Sequence, residues 1–358
     1  MVPNAAPIEE RGAENSIIKK ESKMSKKIAV IGAGGWGTAL AITLEHNGHR
    51  PYMWDIDKAH LAQMREQREN VKYLPGIKLP DGITLCEDEA EVLKDADMVL
   101  FSVPAQHFGS AFEAALPMLP EGVLILNVAK GIDTKSLRRM SEIAFSIKDD
   151  LRYVVLSGPS HAEEVGRKMP TTVAVASKDM NDAAEVQDLL MNEYFRIYTN
   201  DDVAGLELGG ALKNIIALGA GIADGLGYGD NAKAAMMTRG IVEMERLGAR
   251  LGARPSTFTG LSGIGDLIVT CCSMHSRNRR CGILIGQGMA PEEAVKEVGM
   301  VVEGMYTCEA AFKLSRQLGV DMPITEAIYG AIKGIIKPDD AVRALMTRSR
   351  KNENEEVF

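Results

Sequence analysis

The chain reads as an α/β protein: a doubly wound, mostly parallel sheet followed by an all-helical region. Three observations predict this. Short apolar runs alternate with helical stretches from residue 24 to about residue 202. A glycine-rich turn joins the first apolar run to the first helical stretch. Beyond residue 202 strand-like runs almost vanish, and long Ala-, Leu-, Met- and Gly-rich segments replace them. Alternation of the first kind places parallel strands under crossover helices, and its loss marks a change of architecture.

In order, residues 28–31 form the first apolar run, and residues 36–47 carry helical spacing after the glycine turn. Residues 51–54, 98–103 (closed by Pro104), 123–128, 153–156 and 172–176 are further strand candidates. Helical periodicity then covers residues 203–223, 232–251, 291–298, 307–318 and 338–347. We therefore expect a dinucleotide-binding domain over 24–202 and a helical substrate domain over 203–358, with a hinge near 198–205 and the active site between them. Residues 1–23 are polar and aperiodic, and read as a disordered extension rather than a secretory signal, having acids and no apolar core. The charged tail from Arg348 reads as frayed.

Composition narrows the function. In 358 residues, 46% are hydrophobic and 25% charged, with a net charge of −8. An acidic chain is a poor general match for nucleic acid or an anionic membrane. No apolar run approaches the roughly 20 residues of a bilayer span. Five cysteines, with no Cys-x-x-Cys, give neither a disulfide framework nor a zinc site. The six histidines show no His-x-x-x-His spacing, so no metal is expected. Adjacent Cys271 and Cys272 read as packing residues.

Gly32-Ala33-Gly34-Gly35-Trp36-Gly37 matches G-x-G-x-x-G between a strand and a helix, the setting of a Rossmann-type dinucleotide site. Gly32 allows the tight turn, Gly34 admits a pyrophosphate, and Gly37 permits close helix–strand packing. Asp55, at the end of the second strand, is placed either to meet the adenosine ribose or to sit as a solvated loop acid. Asp57 adds a second carboxylate, and Arg50 and Lys58 flank the pair. Lys213 interrupts the apolar run Leu206–Leu218 and is either snorkelling or poised in a pocket. Gly205, Gly209, Gly210, Gly219 and Gly221 each cost helix propensity, which points to close backbone or ligand approach. Ser276-Arg277-Asn278 reads as a helix opening, suited to a phosphate or to a solvated basic face.

Several blocks resemble the NAD(P)-dependent glycerol-3-phosphate dehydrogenase family, its bacterial form most closely. They are GAGGWGTALA (32–41), NVKYLPG (70–76), AKGI (129–132), LSGPSHAEEV (156–165), GGALKNIIALGAGIADGLGYGDNAKAA (209–235), GLSGIGDLIVTC (260–271), HSRNRR (275–280) and MVVEGMYT (300–307). The resemblance implies interconversion of dihydroxyacetone phosphate and sn-glycerol 3-phosphate by hydride transfer, with the product feeding phospholipid synthesis. It makes Lys213 the general acid–base, Lys130 a second cation at substrate and cofactor, and Asp266 the carboxylate that pairs with or orients the lysine. It puts Gly158, Ser160, Asn214, Thr270, Ser276, Arg277 and Asn278 at the substrate. Gly35, Trp36, Tyr73, Ala162, Val301, Glu303, Lys130 and Arg277 fall at the cofactor. A cytoplasmic homodimer is implied as well. One departure stands out: bacterial relatives often carry His or Arg after the second strand, where this chain has Trp54-Asp55-Ile56-Asp57. NAD(H) is therefore expected to be preferred, with NADP(H) possible. The runner-up is a dehydrogenase of a 3-hydroxy acid or sugar acid, with Arg277 as its carboxylate clamp; a non-catalytic dinucleotide sensor is the third reading.

Overall fold

A computed structural model describes residues 24–350, 352 and 353. The expected disordered extension, 1–23, lies outside the described residues, as does most of the end of the tail.

The first part alternates strands and helices: Lys27–Ile31 (β1), Gly35–His46 (α1), Arg50–Trp54 (β2), Lys58–Gln67 (α2), Thr84–Leu85 (β3), Glu89–Leu93 (α3), Met98–Phe101 (β4) and Ala105–Ala115 (α4). Leu124–Asn127 (β5), Met140–Ile147 (α5), Arg152–Ser157 (β6), Ala162–Gly166 (α6), Thr171–Ser177 (β7), Met180–Leu190 (α7) and Phe195–Asn200 (β8) follow. The strands form one sheet in the order β3-β2-β1-β4-β5-β6-β7-β8. Every neighbouring pair is parallel except β6–β7. β4 and β5 are buried along their whole length, which is why they read as unbroken apolar runs.

The chain order reverses on either side of β1, so the crevice above the carboxyl ends of β1 and β4 is the switch point where ligands bind in such sheets. The β6–β7 reversal has a local cause. Residues 158–170 hold only the five-residue α6, too little to carry the chain back across the sheet, so β7 turns down beside β6. Gly158, Ser160 and Ala162 consequently stay at the crevice edge.

All later elements are helical: Val203–Gly225 (α8), Asp230–Arg250 (α9), Pro255–Phe258 (α10), Asp266–Cys272 (α11), Arg277–Gly286 (α12), Pro291–Val298 (α13), Glu303–Leu318 (α14), Pro323–Ile332 (α15) and Pro338–Met346 (α16). A π-helical turn, Leu261–Gly265, leads into α11. α8 is apolar and long enough to cross a membrane, yet it is enclosed by protein throughout its apolar stretch. It packs on β6, α9, α11, α12 and α14.

The costly glycines of α8 are explained by what lies against them. A Cβ at Gly209 would sit 2.6 Å from the Ser262 carbonyl oxygen, and one at Gly210 would sit 2.6 Å from Ser157 Oγ and 3.4 Å from Lys130 Cγ. Gly221 and Gly225 face the backbone of α12, and Gly282 and Gly286 of α12 face the backbone of α8 in return. Two Gly-x-x-x-Gly faces thus meet, and the helices approach more closely than side chains normally allow. Gly282→Ala tests this contact. Alanine gains about 1 kcal/mol of helix propensity, but its Cβ would collide with the Leu218 carbonyl oxygen. We expect a net loss of about 1–3 kcal/mol from overpacking, read as a lower urea midpoint. An unchanged midpoint would show that the helices part without cost.

Candidate active site

The glycine loop lies between β1 and α1. Gly32 has φ +103°, and a Cβ there would lie 2.5 Å from the Ser102 carbonyl oxygen beyond β4. Gly37 backs onto the Gly32 carbonyl, and a Cβ on Gly35 would lie 2.6 Å from that of Tyr73. These three glycines answer to the protein's own backbone. Gly34 does not: a Cβ there would meet nothing within 4 Å. Gly34 is also the N-cap of α1 and offers no capping side chain. Open space at a bare helix N-terminus fits a dinucleotide pyrophosphate. Trp36 packs beside Phe195, with ring centroids 6.5 Å apart.

The loop is braced by residues that the sequence reading did not single out. Asn70 Nδ2 donates to the Ala33 carbonyl at 2.9 Å and to Thr38 Oγ1 at 2.8 Å, and His60 Nε2 lies 3.2 Å from the same carbonyl. Asp55 has a second task besides any ligand. Its Oδ2 accepts from Ala33 N at 2.7 Å and its Oδ1 from Asp57 N at 2.9 Å. Asp57 caps α2 by accepting from His60 N at 3.0 Å.

Across the crevice, Lys213 of α8 and Lys130 after β5 converge on one carboxylate. Lys213 Nζ donates to Asp266 Oδ1, and to Thr270 Oγ1 at 2.7 Å. Lys130 Nζ donates to Asp266 Oδ2 at 2.7 Å, the Gly158 carbonyl at 2.9 Å and Ser160 Oγ at 3.4 Å. Lys213 is therefore pocketed, not snorkelling, with its side chain 8% exposed. Burial pushes its pKa down to about 8; Asp266 opposes the shift and Lys130 adds to it. Burial alone would raise the Asp266 carboxyl, but the two ammonium groups outweigh it and hold Asp266 below its ordinary value. Asp266 reaches this position from the π-helical turn, a device that periodicity does not reveal.

Asn214 Nδ2 lies 3.3 Å from the Gly210 carbonyl and 3.4 Å from that of Lys130. Its Oδ1 accepts from Asn278 Nδ2 at 2.9 Å, and Asn278 Oδ1 accepts from Gly304 N at 2.8 Å. Ser276 caps α12 by accepting from Arg279 N at 3.2 Å. Asn278 and Ser276 are thus committed to the frame. The Arg277 guanidinium has no hydrogen bond among the described residues. Burial lowers its pKa from the ordinary arginine value, and Glu303 and Glu163 oppose the shift. Arg279 is tied to Asp224 and the Cys272 carbonyl, each at 2.8 Å. Glu303 Oε1 accepts from Ala105 N at 3.1 Å, while buried Oε2 has no partner. Ala162 opens α6 next to Gly35, at 3.6 Å from a Cβ built there. Val301 is exposed ahead of α14. Cys271 is buried as expected for packing, but Cys272 is exposed. Among the described residues no His, Cys, Asp and Glu cluster could hold a metal.

Gly34→Ala separates ligand approach from folding. We expect a stability loss of no more than about 1 kcal/mol, from the poorer N-cap that alanine makes, and NADH affinity reduced about tenfold or more in a fluorescence titration. Retained affinity would remove Gly34 from the ligand cradle.

Comparison with known proteins gives the family of the chain. Residues 27–183 match the family model for the NAD-dependent glycerol-3-phosphate dehydrogenase N-terminus, and residues 202–343 match that for its C-terminus. The chain is 55% identical over 339 residues to glycerol-3-phosphate dehydrogenase [NAD(P)+] of Pelotomaculum thermopropionicum, covering 93% of this chain and 97% of the relative. It is 49% identical over 335 residues to the Bacillus subtilis protein of the same name, with 93% and 97% coverage. The crystal structure of glycerol-3-phosphate dehydrogenase from Coxiella burnetii superposes with a TM-score of 0.88 at 35% identity, over 90% of this chain and 99% of that one. The chain belongs to the NAD-dependent glycerol-3-phosphate dehydrogenase family.

Proposed function

We propose that this enzyme interconverts dihydroxyacetone phosphate and sn-glycerol 3-phosphate with NAD(P)H, supplying glycerol 3-phosphate for phospholipid synthesis in the cytoplasm. The carrying observation is the unequal use of two lysines. An ammonium has three donors. Lys130 spends its three on Gly158, Ser160 and Asp266. Lys213 spends two, on Asp266 and Thr270, and keeps one for a substrate oxygen.

A bound nicotinamide supplies the hydride. Protonated Lys213 then gives its proton to the oxygen at C2 of the ketone, and in reverse neutral Lys213 takes the hydroxyl proton. Lys130 adds positive charge where the alkoxide develops. Ionised Asp266 holds both lysines in place. Arg277, half-buried and without a hydrogen-bond partner among the described residues, suits the substrate phosphate, with Ser276 and Asn278 shaping the helix start beneath it. Asn214, Gly158, Ser160 and Thr270 complete the substrate pocket. On the cofactor side we assign Gly32, Gly34, Gly35, Trp36 and Gly37 to the diphosphate turn, Asp55 and Tyr73 to the adenosine end, and Ala162, Val301 and Glu303 to the nicotinamide end. The division at residues 198–205 is supported by β8 ending at Asn200 and α8 starting at Val203. The homodimer remains part of this reading by family likeness.

Lys213→Ala should lower turnover by about 10²–10⁴-fold with little change in NADH affinity. Below pH 8 Lys213 carries its proton, so kcat/KM for ketone reduction should fall as pH rises through about 8, and that for oxidation should rise. A reductive rate that climbs across this range would assign the proton to another group.

We also expect NADH to be favoured over NADPH, because Asp55 and Asp57 stand where a 2′-phosphate would lie. Solvent screens this rim, so the kcat/KM ratio is set at about tenfold. An equal or higher value with NADPH would reject the preference.

A further inference from the structure

Lys72 was not among the basic residues that the sequence set beside Asp55 and Asp57. Of those, Arg50 opens β2, and the strand rises about 13 Å from it to Trp54, so Arg50 stands at the far end from the crevice. Lys58 opens α2 and is exposed. Lys72 Nζ instead lies 3.4 Å from Asp57 Oδ2 and 4.9 Å from the centroid of the Tyr73 ring. Tyr73 is the residue whose carbonyl backs Gly35, and its amide donates at 3.1 Å to Asn70 Oδ1, the side chain that also braces Ala33. The ammonium is thus tethered to the glycine loop on the side of the two acids.

We infer that Lys72 is the specificity-determining cation of the adenosine end, releasing Asp57 to bind a ribose 2′-phosphate and so letting an acid-bearing site accept NADP(H). The inference rests on the dinucleotide reading above.

Three features carry it. First, Asp55 is pinned on both oxygens by backbone N–H groups, so it cannot swing away from an incoming phosphate. Second, Asp57 faces Lys72, so one of the two negative charges at this rim is already countered. Third, the hold of Asp57 on Lys72 is weak. Its ion pair is long, with side chains 47% and 45% exposed, and exposed pairs of this kind are easily exchanged. A dianionic phosphate is the stronger partner for an ammonium. The groups that act on the ammonium are Asp57 and Tyr73, and His60 acts on Asp57. His60 is turned inward onto the Ala33 carbonyl.

The test is calorimetric titration of the full chain with NAD+, NADP+ and adenosine 2′,5′-bisphosphate. Lys72→Met should weaken NADP+ and the bisphosphate about tenfold at low salt, the size of one partly screened charged hydrogen bond, and change NAD+ less than about twofold. Lys72→Arg should restore NADP+ binding. Asp57→Asn keeps a good helix cap but frees the ammonium, so it should tighten NADP+. Equal weakening of NAD+ and NADP+ by Lys72→Met, no change in either, or weaker NADP+ binding by Asp57→Asn would overturn the inference. A parent chain that binds NAD+ while these results fail leaves the cofactor reading standing. One that binds neither dinucleotide overturns both.

Discussion

A helix with almost no solvent face constrains the rest of this molecule. α8 is buried nearly from end to end, so each polar side chain on it must find a partner inside the protein. Glu207 takes the Ser141 amide at 2.8 Å, the Tyr153 hydroxyl at 3.0 Å and Arg139, fastening α8 to α5 and β6. Lys213 takes Asp266 and Thr270, fastening it to α11. Asn214 bridges to Lys130 and Asn278, fastening it to the β5 loop and α12. The polar groups that burial would otherwise penalise are the joints between the sheet and the helical part. The cluster of Lys213, Lys130 and Asp266 is one of those joints.

This explains why the cluster is strongly charged in an acidic protein. Two ammonium groups around one carboxylate leave an excess positive charge in a poorly solvated place. Burial there depresses the Lys213 pKa, with Lys130 adding to the shift and Asp266 opposing it, and the excess charge favours an anionic substrate. Net charge over the whole chain says little about a site whose counter-charges are fixed within a few ångströms.

Features governed by neighbours in sequence were legible beforehand. The glycine turn, the buried strands β4 and β5, the Ser276 cap of α12 and the glycine excess of α8 all follow from local chemistry or an unusual local cost. Features governed by distant partners were not. β3 has two residues, and β8 alternates buried and exposed positions at the sheet edge, so neither gives a strong apolar run. The commitment of Asp55 to Ala33, the bracing by Asn70 and His60, and the pairing of Lys72 with Asp57 are contacts between segments that sequence spacing does not bring together. Asp266 entered by family likeness alone, and its geometry depends on a π-helical turn with no periodic signature.

The long reach of the site contacts also bears on how the protein is made. Lys130 and Asp266 are 136 residues apart, and Ala105 and Glu303 are 198 apart. The nucleotide-binding sheet is translated first and draws its ladder from residues before 201, so it can condense while the remainder is still emerging from the ribosome. Asp266 and Glu303 join only near the end of synthesis, after the loop-closure entropy of well over a hundred residues has been met. The glycine turn is thus made early, while the contacts that Asp266 and Glu303 make across the crevice are the last to close.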